Sequence, residues 1–343
     1  MKQHLNTLFV TTQGAYVARE RENLLVRVEK DIKARIPVHL LAGVVCFGRV
    51  NLSGSVLCLC GTRGVPVSLL SRGGRFRARV VGPVAGNVLL RRGQYRRADE
   101  PAASAEIARD VITAKVLNTR SVLVRALRED PAASARKPLE AAIERLADLL
   151  RMIAREQDLD RLRGYEGESA RTYFTTFDHL IRHPAPAFRF EKRSRRPPRD
   201  AINALLSFVY TLLLHDVRSA AEVAGLDPAV GFLHRDRPGR PGLALDLMET
   251  FRPFFADRLV LTLINKRMIK PEAFTRTESG AVSMDDDARE TVLRAYQKRK
   301  RVSLRHPFLE EDTTVGHLWF LEALLFARYL RGDLDAFPAF LWR

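Results

Sequence analysis

His234 closes a short apolar run, Val230-Gly231-Phe232-Leu233, and opens a loop too rich in Gly and Pro to be regular, residues 235–242. The next stretch is apolar with helical spacing and carries two carboxylates, Asp246 and Glu249, three residues apart and so on one helix face. An imidazole delivered by a loop and two acids delivered by the next helix turn can meet at one cation. Mixed nitrogen and oxygen ligation suits Mg²⁺ or Mn²⁺, and Mn²⁺ is the more tolerant of imidazole. Plainer roles compete: a lone His after an apolar run is more often a hydrogen-bonded loop residue, and acids are common near the N-terminus of a helix. Pro253 disfavours helical geometry at Arg252 and bends the axis there.

A third ligand is available upstream. Glu166, Ala170, Tyr173 and Phe177 recur at steps of four, three and four, so Glu166 heads the buried face of an amphipathic helix. A carboxylate on an apolar face needs a partner, because an unpaired buried charge is costly. A metal ion is one such partner; an Arg salt bridge together with the helix dipole is the other. Glu168 falls off the stripe and faces water. Gly164 and Gly167 leave room for close approach of backbone or phosphate. Asp285-Asp286-Asp287 is a rival cluster, read as a solvated loop or helix start because no His or apolar face frames it. His179, His183, His215, His306 and His317 have no carboxylates in a comparable arrangement.

These residues need a scaffold, and the sequence divides in two. Residues 1–90 read as a mainly antiparallel β domain: a strand at 8–10, a hairpin of 16–20 with 24–28, a buried run at 38–47, and strands at 65–70 and 76–81, with Gly and Asn at short intervals. Residues 53–60 fit a strand or a helix capped by Ser53. Residues 91–104 resemble a basic linker. Residues 105–343 carry helical periodicity, with Ala201 to Leu214 apolar enough for a core helix, so the fold class is α+β with a larger all-α second domain. Segments 191–200 and 275–287 are the expected mobile loops.

With 343 residues the chain can bury sizeable cores, and its net charge of +17 attracts polyanions. An Arg-rich proteome would also raise the charge, but here the charge is clustered. One cluster holds Arg91, Arg92, Arg96 and Arg97. A second holds Lys192, Arg193, Arg195, Arg196 and Arg199, and a third Lys298, Arg299, Lys300 and Arg301. Such clusters track a phosphate backbone without reading its sequence. Tyr95 and Tyr296 lie beside them and are candidates to stack on a frayed base. Cys46, Cys58 and Cys60 have neither disulfide-framework nor zinc spacing, which suits a reducing cytoplasm. No signal-peptide pattern or membrane-spanning run is evident.

Taken together, LNTLFVTTQGAYV, IPVHLLAGVVCFG, GRFRARVVGPVAGNVLLRRGQY, LRGYEGESARTYF, RRPPRDAINALLSFVYTLL and GLDPAVGFLHRDRPGRPGLALDLMETFRP resemble the CRISPR-associated spacer-acquisition integrase family along essentially the whole chain. The N-terminal segments look most like the type I-C branch. The resemblance implies a dimer formed through the β domain and a helix, not a strand, at residues 53–60. It places metal ligation on Glu166, His234 and Glu249, with Asp246 a further acid beside the metal. Asn203 falls on a characteristic position, with a structural or substrate-side hydrogen bond. The implied chemistry is endonuclease and integrase chemistry: a prespacer 3′-hydroxyl attacks a phosphodiester at a repeat border, in a complex with double-stranded DNA and a small second Cas protein. A structure-specific repair nuclease and a non-catalytic DNA-binding scaffold are the alternatives.

Overall fold

The first nine elements are β1 (Asn6–Val10), β2 (Tyr16–Glu20), β3 (Asn23–Val28), β4 (Asp31–Pro37), β5 (Leu41–Phe47), β6 (Asn51–Leu52), helix α1 (Gly54–Thr62), β7 (Val67–Leu70) and β8 (Phe76–Val80). They come from a computed structural model that describes residues 6–29, 31–83, 88–129, 132–182 and 188–342. Two four-stranded sheets form, in the orders β1-β5-β7-β8 and β4-β3-β2-β6. The expected antiparallel pairing holds for β2–β3, β3–β4 and β7–β8. The pairs β1–β5, β5–β7 and β2–β6 are parallel, so the first sheet is mixed. Strand β4 is absent from the sequence reading although Ile32, Ala34 and Ile36 alternate with Lys33 and Arg35; it is an edge strand whose charged side chains point to solvent while Ala34 and Ile36 pack against the β core. Residues 53–60 are helical, and Ser53 Oγ caps α1 by accepting from the Val56 amide at 3.3 Å.

Strand β5 joins the two halves of the molecule. Its alternation sends Val44 and Cys46 into the core shared by the two sheets and α1, while Val45 and Phe47 enter the core of the helical half. Both faces are therefore buried, which explains the unbroken apolar run.

The remainder is mostly helical: α2 (Val88–Asp99), α3 (Pro101–Arg128), α4 (Ala133–Ile153), α5 (Leu159–Thr175), α6 (Ala201–Val223), α7 (Gly242–Glu249), α8 (Arg258–Asn265), α9 (Asp286–Lys300) and α10 (Leu318–Arg331). Two small hairpins interrupt it, β9 (Phe274–Arg276) with β10 (Val282–Met284) and β11 (Ser303–Arg305) with β12 (Asp312–Thr314). The stretch read as a linker is helical, since α2 covers most of residues 91–104 and α3 begins at Pro101. The segment read as a mobile loop at 275–287 contains the β9–β10 hairpin and the start of α9, capped by Asp285 accepting from the Ala288 amide. Helix α6 is buried on nearly every side, as its composition demands. It meets the β half through Phe208 against Phe47, ring centroids 5.8 Å apart, and through His215 Nδ1, 2.8 Å from Ser68 Oγ. Full burial, helped by the Arg79 cation, pulls the His215 pKa down to about 3, so this imidazole is a neutral packing element.

Candidate active site

Helix α7 and the loop before it form a tight unit because two glycines touch. A Cβ on Gly231 would fall 2.6 Å from the Gly242 carbonyl carbon and 2.7 Å from Asp246 Oδ2; a Cβ on Gly242 would fall 2.7 Å from the Ala229 oxygen. With no side chains between them, the 231–234 backbone reaches the Asp246 carboxylate. Oδ2 accepts from the amides of Phe232 (2.6 Å) and Leu233 (3.1 Å), and Oδ1 accepts from the His234 amide (3.0 Å). His234 Nδ1 lies 2.6 Å from the same Oδ1. A carboxylate that accepts this many bonds is committed to holding the loop. Asp246 is therefore an orienting group: by accepting from Nδ1–H it leaves the Nε2 lone pair free on the other side of the ring.

Nε2 faces Glu249, whose Oε1 lies 3.9 Å away. The i, i+3 spacing thus puts both acids against one imidazole, but on opposite ring nitrogens. Glu249 is almost fully buried and its Oε1 also pairs with Arg252 Nη1 at 2.8 Å. Burial raises the Glu249 pKa, but the Arg252 and Lys115 cations, with His234, outweigh it and hold the carboxylate below the usual glutamate range. Past Glu249 the helix widens into a π-helical turn, Arg252–Asp257, at the proline that the sequence marks as a disturbance.

Glu166 projects from the middle of α5, which starts at the Asp158 cap. Its partner is Lys115 of α3, whose Nζ contacts Glu166 Oε1 and lies 2.6 Å from Glu249 Oε2. The salt-bridge partner of Glu166 is a lysine from another helix, where an arginine was expected. Glu249 Oε2 has no aligned hydrogen bond, so its contact with Lys115 is one of charge. Sequence reasoning missed Lys115 because it is a single basic residue inside an apolar helical stretch, with no spacing to link it to residues 51 and 134 positions away.

The donor set can be tested against a divalent ion. Among the described residues no three His, Cys, Asp or Glu side chains stand close enough to share an ion as they are. The three expected ligands do converge, with two carboxylates around one cationic atom and Nε2 beside the second of them. Two carboxylates and an imidazole are of the right kind for Mg²⁺ or Mn²⁺, and the buried Glu249 Oε2 has the Lys115 charge beside it but no aligned hydrogen bond. The residues fit the group in kind, with Lys115 standing among them.

The other residues singled out by sequence are more dispersed. Glu168 is on the surface, paired with Arg145. A Cβ on Gly164 or Gly167 would meet nothing within 4 Å, so the close approach expected there is not made by this chain. Asp286 pairs with Arg72 and Arg289, in keeping with a helix start. His183 lies outside the described residues. Asn203 is buried at the head of α6. Its Oδ1 accepts from Arg193 Nη1 (2.6 Å) and the Ser194 amide (2.9 Å), and its Nδ2 donates to the Lys192 carbonyl (2.8 Å). Segment 191–200, expected to be mobile, is thus pinned at its first half.

In the basic clusters, Arg92, Arg96, Lys192, Arg195, Arg196, Arg199, Lys298 and Arg301 are exposed. Others turn inward. Arg91 donates to the Gly225 carbonyl and Arg97 lies over the Tyr329 ring. Arg299 donates to the Phe254 carbonyl and is desolvated, which lowers its pKa to about 9. Lys300 is a correction: it is 1% exposed and pairs with Asp216 at 2.8 Å, because the last turn of α9 packs inward. Tyr296 is a second correction, fully buried with its hydroxyl donating to Asp216, and so unable to stack on a base. The fold also assembles a basic surface with no sequence cluster: Arg125, Arg182, Arg258 and Lys266, with Glu129, line a cavity of about 300 Å³.

A β domain is joined to a helical domain in which two glutamates and a histidine gather around a lysine, and the sequence comparisons put such a chain among the CRISPR-associated endonucleases. The chain belongs to the CRISPR associated protein Cas1 family, whose pattern matches residues 8–298. It is 52% identical over 343 residues, the full length of both chains, to a CRISPR-associated endonuclease Cas1 of Chlorobaculum tepidum. Its fold is similar to that of a casposase bound to an integration product (TM-score 0.83, 22% identity, 98% of this chain and 94% of that one). It is also similar to a chain of a Cas6-RT-Cas1–Cas2 complex (TM-score 0.82, 22% identity, 100% of this chain and 36% of that one). The protein is accordingly an enzyme, a Cas1 endonuclease of CRISPR adaptation.

Proposed function

We propose that this chain is a metal-dependent DNA integrase that joins the 3′-hydroxyl ends of a prespacer to repeat borders by transesterification. The observation that carries the reading is the convergence of Glu166, His234 and Glu249 from three separate segments, α5, a loop and α7, around one cationic centre. Glu166, Glu249 and His234 Nε2 would hold Mg²⁺ or Mn²⁺. When bound, such an ion lowers the pKa of an attacking hydroxyl and neutralises charge on the phosphorus centre. Asp246 fixes the imidazole and its tautomer. Arg252 keeps Glu249 ionised. In the reaction a new bond forms between the incoming 3′ oxygen and phosphorus while the bond to the displaced 3′ oxygen breaks, and the displaced oxygen takes up a proton. Water in place of the 3′-hydroxyl makes the same site a nuclease.

The exposed basic residues at 92–96, 192–199 and 298–301 would hold the duplex by its phosphates. The casposase bound to an integration product supports joining as a use of this fold, and the Cas2-containing complex supports a small Cas2-type partner bridging dimers of this chain. No helix among the described residues is long and apolar enough to cross a membrane. The N-terminal motifs favour the type I-C branch.

Incubating the protein, its Cas2-type partner, a prespacer with free 3′ ends and a repeat-bearing plasmid with Mg²⁺ or Mn²⁺ tests the reading. Joined product at repeat borders, lost in His234→Ala with duplex binding retained, is expected. Cutting of branched DNA without joining would make the chain a structure-specific nuclease. Binding without strand chemistry under any divalent ion would leave a scaffold.

A further inference from the structure

We propose that Lys115 is a built-in stand-in for the metal ion: its ammonium holds Glu166 and Glu249 together in the metal-free protein and leaves them when an ion binds. The proposal rests on the metal reading above and concerns what must happen before that site can load.

Three observations point to it. First, Lys115 sits in the middle of α3 among Val111, Ile112, Ala114 and Val116, with its side chain only 9% exposed. A lysine there is stable only when paired. It has two such partners, Glu166 and Glu249, one on each of two neighbouring helices. Second, the charges already balance. Two carboxylates, Glu166 and Glu249, face two cations, Lys115 and Arg252. Adding a divalent ion without losing a cation would leave these four groups at a net charge of two in a mostly buried pocket; release of Lys115 lowers it to one, which the Asp246 carboxylate on His234 offsets. Third, only one of the two cations is free to go. The Arg252 guanidinium is boxed in, paired with Glu249 and stacked 4.9 Å over the Tyr210 ring, whose hydroxyl in turn donates to Asp257 at 2.6 Å. Lys115 has a flexible four-carbon stem, and its Glu166 partner is 27% exposed, so a way to solvent runs along Glu166.

The exchange makes the site self-compensated. Without metal, the ammonium prevents two buried carboxylates from repelling each other; with metal, the ion takes over their charge and the amine is released at the mouth of the pocket.

Reductive methylation of the full-length wild-type protein, read by mass spectrometry at Lys115, tests this directly. Mn²⁺ binding is followed in parallel by electron paramagnetic resonance. The labelling rate of Lys115 is expected to rise by about tenfold or more when Mn²⁺ replaces EDTA. Lys300, more deeply buried and paired with Asp216 instead of Glu166 and Glu249, is expected to stay unlabelled in both conditions. Protection of Lys115 at saturating Mn²⁺ overturns the exchange and leaves the metal reading intact. Failure of the wild-type protein to bind Mn²⁺ overturns the metal reading, and the exchange with it. Lys115→Met adds an independent readout: its melting temperature is expected to fall in EDTA and to recover with Mn²⁺. A variant equally stable in both conditions counts against the proposal.

Discussion

At Asp246, every bond the carboxylate makes is to the loop that carries His234, so its replacement separates orientation from ligation. Asp246→Asn keeps the size but turns an amide donor toward donors on the loop. Strand cleavage and joining under single-turnover conditions are expected to fall by about 10–100-fold, with duplex affinity unchanged; an unaltered rate would remove Asp246 from the chemistry. Glu322 shows the same physics away from the site. It is fully buried, accepts from the Phe340 amide at 3.1 Å and from Thr250 Oγ1 at 3.4 Å, and so ties the C-terminal segment to the end of α7. Burial raises its pKa from 4.5 to about 8 against the pull of those hydrogen bonds. A raised folded-state value means the folded chain holds the proton more tightly than the unfolded chain. The contribution to stability is therefore complete below pH 4.5 and is lost as pH climbs through about 8. Denaturant midpoints for the wild type are expected to drop between pH 5 and pH 9, and Glu322→Gln to flatten that drop; parallel profiles would show that Glu322 does not titrate in this window.

At the scale of elements, α6 carries the link between the site and the basic loop at 192–199. Asn203, at its head, clamps residues 192–194, and Tyr210, two turns on, lies 5.4 Å from the Arg193 guanidinium and 4.9 Å from that of Arg252. Asn203→Ala removes several buried hydrogen bonds, each contributing about 1 kcal/mol. Limited trypsin digestion is expected to shift to the 192–199 segment, and duplex affinity to fall while the far-ultraviolet circular dichroism stays the same. Resistance to trypsin at this loop would contradict the clamp. Much of this scale was legible beforehand. The helical stripe through Glu166, the core character of α6 and the break at Pro253 all follow from periodicity, which local packing enforces. At Asp285 the sequence leaves a solvated loop and a helix start both open, and the structure shows the helix start. What was not legible depends on partners distant in the chain. Nothing local distinguishes a parallel β5 from an antiparallel one. Likewise Lys115 acquires meaning only when α3, α5 and α7 meet, and Lys300 reads as surface until α9 is seen to turn its last residue inward.

For the whole molecule, the net charge of +17 is not spread evenly over what a duplex can touch. Arg91, Arg97, Arg299 and Lys300 are committed to internal contacts, while Arg92, Arg96, Lys192, Arg195, Arg196, Arg199, Lys298 and Arg301 remain on the surface. This division makes the salt dependence of binding a map of the DNA path. Each phosphate contact contributes about −0.9 to the slope of log K against log salt concentration on B-form DNA. The Arg195→Ala, Arg196→Ala double variant is expected to make the slope shallower by about 1 to 2 at unchanged stability, as measured by fluorescence anisotropy between low and moderate salt. Lys300→Met is expected to do the reverse. Its slope should match the wild type, because Nζ lies against Asp216 and away from solvent. Its stability should fall by about 3–5 kcal/mol, because Asp216 loses its direct ion pair in a buried site and keeps only the Tyr296 hydroxyl bond and the more distant Arg79 charge. A Lys300 variant with full stability and a shallower slope would place α9's last turn on the DNA and so contradict the packing of the helical half against the β sheets. The pair of measurements therefore tests the arrangement of the two halves as well as the assignment of single residues, since the same helix supplies Lys298 to the surface and Lys300 to the core.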